Sequence, residues 1–224
     1  MEPLSAPELA GLNERLGSAA PQEILAWAGQ TFSPALSLAC SFGGASGMVL
    51  LDMVSKLGLD LEVFYLDTEL LFPETYALRD EVTRRYGVVP VAYRTRFSVA
   101  EQAAEYGHEL WRTDPDRCCY LRKIAPNEKA LAGKRAWITA IRREQASTRA
   151  AIDVVQWDDT FGLIKLCPLA SWTEDRVWAY VREHDVPVNE LHAHGYPSIG
   201  CMPCTRPVMP GEAPRAGRWS GQAK

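Results

Sequence analysis

Ala35-Leu36-Ser37-Leu38-Ala39-Cys40-Ser41-Phe42-Gly43-Gly44-Ala45-Ser46-Gly47 is the stretch whose reading decides the fold. Its first six residues read as a short buried strand, and the strand runs straight into a loop of small residues. Met48 to Val54 then reads as a helix ending near Gly58. A strand, a small-residue loop and a helix together form a cradle for an anion. The loop N–H groups and the helix N-terminus face it, and small side chains let it come close. The signal is weak alone, because many strand-to-helix turns are glycine-rich. The loop lacks a Walker lysine, which disfavours a P-loop NTPase.

Working outward, Leu61 to Leu66 is a second strand ending in Asp67-Thr68-Glu69, and a helix follows from Pro73. Val88 to Tyr93 is a third strand, whose Pro90 points to a sheet edge. Residues 97–117 read as helical with a break at Gly107-His108, and Pro126 opens a helix to Leu131. Arg135 to Ile141 is a strand; Ile152 to Trp157 and Leu163 to Leu166 are two more, joined by a turn at Asp158. Thr173 is positioned to cap the next helix. This alternation predicts an α/β fold, a parallel twisted sheet with helices on both faces. Ligands of such sheets bind at the carboxyl ends of the strands, which places Ser41 to Gly47, Asp67 to Glu69 and the run Arg142 to Arg149 on one rim. Residues 1–33 form an N-terminal helical segment, 34–207 the main domain, and 208–224 a basic, proline- and glycine-rich tail expected to be mobile.

The chain has 224 residues, 47% hydrophobic and 23% charged, with a net charge of -4. Such a balance gives one sizeable globular domain and argues against a nucleic-acid or membrane partner. Met1-Glu2-Pro3-Leu4 lacks the basic start and apolar core of a secretory signal, so a cytoplasmic location is expected. Four of the six cysteines fall in two pairs, Cys118-Cys119 and Cys201-Met202-Pro203-Cys204. Pro203 and Pro207 stiffen the second pair into a knuckle behind Gly200. Adjacent cysteines are poor disulfide partners for each other. Four thiolates suit zinc or an iron–sulfur cluster, and the tandem pair tilts the balance toward a cluster. Cys40 and Cys167 stand alone.

These residues resemble one family. Ser41-Phe42-x-Gly44-Ala45, Leu66-Asp67-Thr68, Pro73-Glu74-Thr75-Tyr76, Cys118-Cys119-x-x-Arg122-Lys123 and the arginine loop ending in Thr148-Arg149 match it. So do Leu191-His192, Gly195-Tyr196, Ser198-Ile199-Gly200-Cys201-x-Pro203-Cys204-Thr205-Arg206-Pro207 and Arg215-x-Gly217-Arg218-Trp219. Residues 34–219 are similar to the assimilatory adenylyl-sulfate (APS) reductases of the PAPS/APS reductase family, with its adenine-nucleotide α-hydrolase-like fold. The resemblance implies thioredoxin-dependent reduction of adenylyl sulfate to sulfite and AMP. It implies a [4Fe-4S] cluster on Cys118, Cys119, Cys201 and Cys204. Substrate would bind through Ser41, Phe42, Gly43, Gly44, Asp67, Thr68, Lys123, Arg142, Arg143, Arg149, Arg215 and Arg218. Thioredoxin or a similar dithiol is the implied donor, and a homo-oligomer is left open.

The family's nucleophile is a cysteine in a Glu-Cys-Gly-Leu-His tail. Here no cysteine follows Cys204, so the tail reads as truncated relative to the family and no residue is assigned that role. Gly43, Ser46 and Gly47 stand where the family often has Ser, Glu and Asp, and Glu69 where glycine is common. Three alternatives stay open: a non-reducing nucleotide- and cluster-binding homologue, a PAPS reductase, and an ATP-pyrophosphatase-type ligase. The last lacks support in the loop, which has no Ser-Gly-Gly-x-Asp pattern.

Overall fold

Alternation along the strands sets the architecture. In the computed structural model, which describes residues 4–219, the elements are α1 Ala6–Leu16, α2 Pro21–Phe32, β1 Leu36–Ala39, α3 Ala45–Lys56, β2 Glu62–Leu66, α4 Pro73–Tyr86 and β3 Val91–Tyr93. They continue as α5 Val99–Tyr106, α6 Leu110–Thr113, α7 Pro115–Cys119, α8 Ala125–Leu131, β4 Ala136–Ile138, β5 Val155–Asp158, β6 Leu163–Leu166 and α9 Glu174–Glu183. Leu36, Leu38, Val63, Tyr65, Ala136, Ile138, Ile164 and Leu166 belong to one large apolar cluster, which α2, α3 and α9 complete. Their neighbours Phe64, Trp137 and Leu163 face the other way and pack with Ala130 and Leu131 of α8. The period of two puts apolar side chains on both faces, so helices must cover both.

The sheet has six strands in the order β3-β2-β1-β4-β6-β5. From β1 the chain first builds outward through β2 and β3, then crosses to β4. The order therefore reverses between β1 and β4, which is where doubly wound sheets open a crevice. Five strands are parallel, as expected, and β5 runs antiparallel to β6, as the turn at Asp158 implies. The turn between them is too short for a crossover: Gly162, with φ 68, donates its N–H to the Asp158 carbonyl at 2.8 Å. β3 is an edge strand and begins after Pro90 rather than at Val88.

The other edge, β5, is closed by a side chain. The Asn13 amide of α1 donates to the Val155 carbonyl at 2.8 Å and accepts from the Val155 N–H at 2.9 Å. It mimics a paired strand residue, and so the N-terminal helices pack onto the sheet. Helix α8 carries Pro126 in its first turn and ends at Leu131, as expected. What precedes it is not a loop: α7 runs into a wide π turn over Tyr120–Ile124, where the Ala125 N–H reaches back to Tyr120, and α8 follows directly. A proline ring collides with the carbonyl four residues earlier, and the wider turn relieves that contact. Among the described residues no helix is long and apolar enough to cross a membrane.

Asn13→Ala is expected to lower stability by about 1–3 kcal/mol, the cost of leaving two backbone groups of an edge strand unpaired. Urea unfolding should show a lower midpoint at unchanged slope.

Candidate functional site

The carboxyl ends of β1, β2 and β4 meet at a cleft of about 480 Å³. Of the residues expected to bind substrate, Ser41, Gly43, Gly44, Thr68, Lys123, Arg149, Arg215 and Arg218 line it. Phe42, Asp67, Arg142 and Arg143 do not. Phe42 has φ 54 and turns its ring into the core, edge-on to Tyr65 at 5.5 Å. The Asp67 carboxylate accepts from Tyr76 at 2.7 Å, Arg94 at 2.6 Å and the Glu69 N–H at 3.0 Å, so it holds the loop rather than facing the cleft. Arg142 is 3% exposed; it donates to Ser46, the Trp172 carbonyl, Glu144 and Glu174, and braces α3 against α9. Arg143 donates to the Ile152 carbonyl at 2.8 Å. Short 3₁₀ turns after β4 rotate successive arginines to different sides, leaving only Arg149 toward the cleft.

Lys123, Arg149, Arg215 and Arg218 therefore share one cleft. Among the described residues none of the four has a carboxylate within ion-pair distance, whereas Arg79, Arg94, Arg122, Arg142 and Arg206 all do. Arg149 has Gln145 as its partner, and Arg218 donates to Ser198 and the Ile199 carbonyl, each at 3.2 Å. Burial first, and then the charge of Arg215, pushes the pKa of both Arg149 and Arg218 down. Uncompensated, half-buried positive charge of this kind is relieved by an anion.

The four paired cysteines line a smaller cavity beside the cleft, with Arg122, Lys123 and Trp219 in the same wall. All are free thiols. Burial, then Cys119 and Cys201, pushes the Cys118 thiol up to about 11, so the thiols lie within electrostatic reach of one another. Burial and Cys201 raise Cys204, with Lys123 opposing. Thr68 and Cys201 share a hydrogen bond of 3.3 Å. Among the described residues no three His, Cys, Asp or Glu side chains are grouped so as to hold a metal ion. Lys123 and Trp219 line both cavities. Arg122, 1% exposed, ties the region together through Gln102 at 2.7 Å, the Thr68 carbonyl at 2.7 Å and Glu69 at 3.1 Å. Glu69 has φ 57, a conformation that favours glycine, and its pairing with Arg122 offsets that strain.

Residues 206–219 fold back onto the cysteine knuckle. Arg206 donates its N–H to the Gly217 carbonyl at 2.9 Å, and Trp219 to that of Cys204 at 3.0 Å. Residues 220–224 lie outside the described residues. The guanidinium of Arg218 lies over Gly200: a Cβ there would stand 2.2 Å from its Nη2. Cys40 also lines the cleft, but burial pushes its thiol up to about 12; Cys167, buried in the core, is likewise pushed up to about 12. Sequence reasoning missed Asn127, Thr139 and Gln145 as cleft residues. Asn127 was within reach of it, since it stands four positions after Lys123 and so shares its helix face.

Residues 35–207 match the phosphoadenosine phosphosulfate reductase domain family. The chain is 45% identical over 223 residues to an adenosine 5'-phosphosulfate reductase of Salinibacter ruber, spanning 99% of this chain and 88% of that protein. Among solved structures it resembles a phosphoadenylyl-sulfate (PAPS) reductase from Candida auris in a phosphate complex, with a TM-score of 0.81, 35% identity, and coverage of 90% of this chain and 97% of that one. The FMN adenylyltransferase of Candida glabrata is similar in fold alone, with a TM-score of 0.60 at 15% identity over 96% of this chain and 72% of that one.

Gly200→Ala forces Arg218 out of its place while leaving the backbone intact. Inorganic sulfate should bind about tenfold more weakly, one charge-assisted hydrogen bond's worth, with little change in thermal midpoint. Burial acts to raise the Asp67 pKa, but Tyr76, the Glu69 N–H and Arg94 together hold it below the ordinary value. Its contribution to stability is then present above the unfolded carboxylate pKa of about 3.9 and is lost as pH falls below it. Asp67→Asn should flatten that part of the acid limb in thermal melts.

Proposed function

The chain belongs to the phosphoadenosine phosphosulfate reductase domain family, and from that premise we propose that it reduces adenylyl sulfate to sulfite and AMP in sulfate assimilation. The observation that carries this reading is the cleft with four cations and, among the described residues, no carboxylate to answer them, opening beside a cavity walled by four thiols. Adenylyl sulfate carries a phosphate and a sulfate in series, and Lys123, Arg149, Arg215 and Arg218 suit that double anion. When a thiolate attacks the sulfate sulfur, the sulfur–oxygen bond to AMP breaks and the AMP phosphate gains a negative charge. Fixed cations stabilise that charge as it develops. A second thiol then releases sulfite, and the two thiols leave as a disulfide; sulfur takes up the two electrons they lose. Thioredoxin or a similar dithiol supplies them. The attacking thiolate is assigned to none of the six cysteines: Cys40, which lines the cleft, stays protonated at neutral pH.

Four thiols around one cavity are a donor set that fits a [4Fe-4S] cluster on Cys118, Cys119, Cys201 and Cys204. Bound there, the cluster supplies a compact anionic centre beside the substrate. Lys123 lines both cavities and so couples the charge of one to the charge of the other. A reducing cytoplasm suits such thiols. The likeness to a PAPS reductase supports a second reading, in which the 3'-phosphorylated analogue is the better substrate.

Anaerobic purification should yield about four irons and four acid-labile sulfides per chain; zinc without sulfide would overturn the cluster. With reduced thioredoxin and a Glu-Cys-Gly-Leu-His extension, adenylyl sulfate should release sulfite faster than its 3'-phosphorylated analogue. Binding without sulfite release, with or without the extension, would instead identify a non-reducing homologue.

A further inference from the structure

Asn127 is 8% exposed and lines the cleft, yet its side-chain amide makes no hydrogen bond to any other described residue. An amide without a protein partner in the wall of a cleft is free to pair with a ligand that enters it. Two neighbours share the condition. Thr139, also 8% exposed, lines the same cleft, and the buried Trp137 Nε1 has no acceptor. The surrounding wall is apolar, formed by Phe64, Leu66 and Trp137. Lys123 stands four residues earlier on the same continuous helix, about 6 Å along its axis. That separation is comparable with the span from a 5'-phosphate to its base.

We infer that Asn127 reads the base of the bound nucleotide, an assignment that rests on the nucleotide reading above. The amide offers one acceptor and one donor side by side. Adenine offers the complement at its N6 and N7 edge, an amino donor next to a ring-nitrogen acceptor. Hypoxanthine presents two acceptors there, and the Asn127 carbonyl oxygen would then face another oxygen. Asn127 thus selects adenine over 6-oxopurines, while the aromatic wall holds either ring.

The test is calorimetric binding of AMP and IMP, which differ at the 6-substituent and the N1 proton, to the anaerobic protein and to Asn127→Leu and Asn127→Asp. Circular dichroism and thermal melts confirm folding. The unaltered protein should favour AMP by about ten- to a hundredfold, the range of one bidentate pair. Asn127→Leu should lose that preference chiefly by weakening AMP. Asn127→Asp, which cannot donate to N7, should lose AMP affinity while keeping the side chain's shape. Equal AMP and IMP affinity in the unaltered protein, or equal weakening of both in Asn127→Leu, would overturn the inference while leaving the nucleotide reading standing. Failure of the unaltered protein to bind AMP at all would overturn both.

Discussion

Four positive side chains held in one cleft, with no carboxylate among the described residues to neutralise them, are the constraint around which the rim is built. Like charges at close range repel, and partial burial weakens the screening that water would provide. The fold tolerates this because the three arginines are anchored by neutral groups, Arg215 by Ser198. Gln145 holds Arg149, and Ser198 and the Ile199 carbonyl hold Arg218. Anchoring by neutral acceptors fixes position without cancelling charge, so the attraction for an anion is kept. Arg142 shows the contrast: with Glu144 and Glu174 against it, it is a strut between helices.

The thiol cavity and the cleft are mechanically one object. Arg122 is buried behind both, bonded to the loop after β2, to Glu69 and to Gln102, whose amide points toward Cys118 at 4.0 Å. The loop after β2 in turn receives the Met202 N–H of the cysteine knuckle at Leu70, 2.7 Å away. The knuckle is thereby tied to Thr68, which lines the cleft. The folded tail adds a second link, because Arg218 crosses Gly200 to reach the space between the two cavities. Geometry at one site is consequently over-determined by contacts made for the other.

Local chemistry made much of this legible in the residues alone. The apolar run at Leu36 and the glycines after it announce strand, loop and helix, and alternation with later strands announces a layered α/β domain with its ligands at one rim. The two cysteine pairs announce a shared all-sulfur wall, because residue type and spacing carry that information. The edge position of β3 followed from Pro90, since a missing N–H is a local fact. The spacing from Lys123 placed Asn127 on the cleft side of its helix, but not its lack of a partner: an asparagine in a helix looks like any solvated one until tertiary packing removes its partners.

Which arginines face the cleft was decided only in three dimensions. Arg142, Arg143 and Arg149 are indistinguishable in a list of basic residues; the turns after β4, the adjacent Glu144 and the distant Glu174 sort them into one strut, one loop tie and one cation with no carboxylate partner among the described residues. The wide turn before Pro126 and the docking of residues 206–219 are likewise tertiary outcomes. Sequence by itself determined the donor types and the order of elements, because these follow from single residues and short periods. Only the tertiary structure decided which charges are cancelled and which are left exposed to a ligand, because that depends on neighbours brought together from far along the chain.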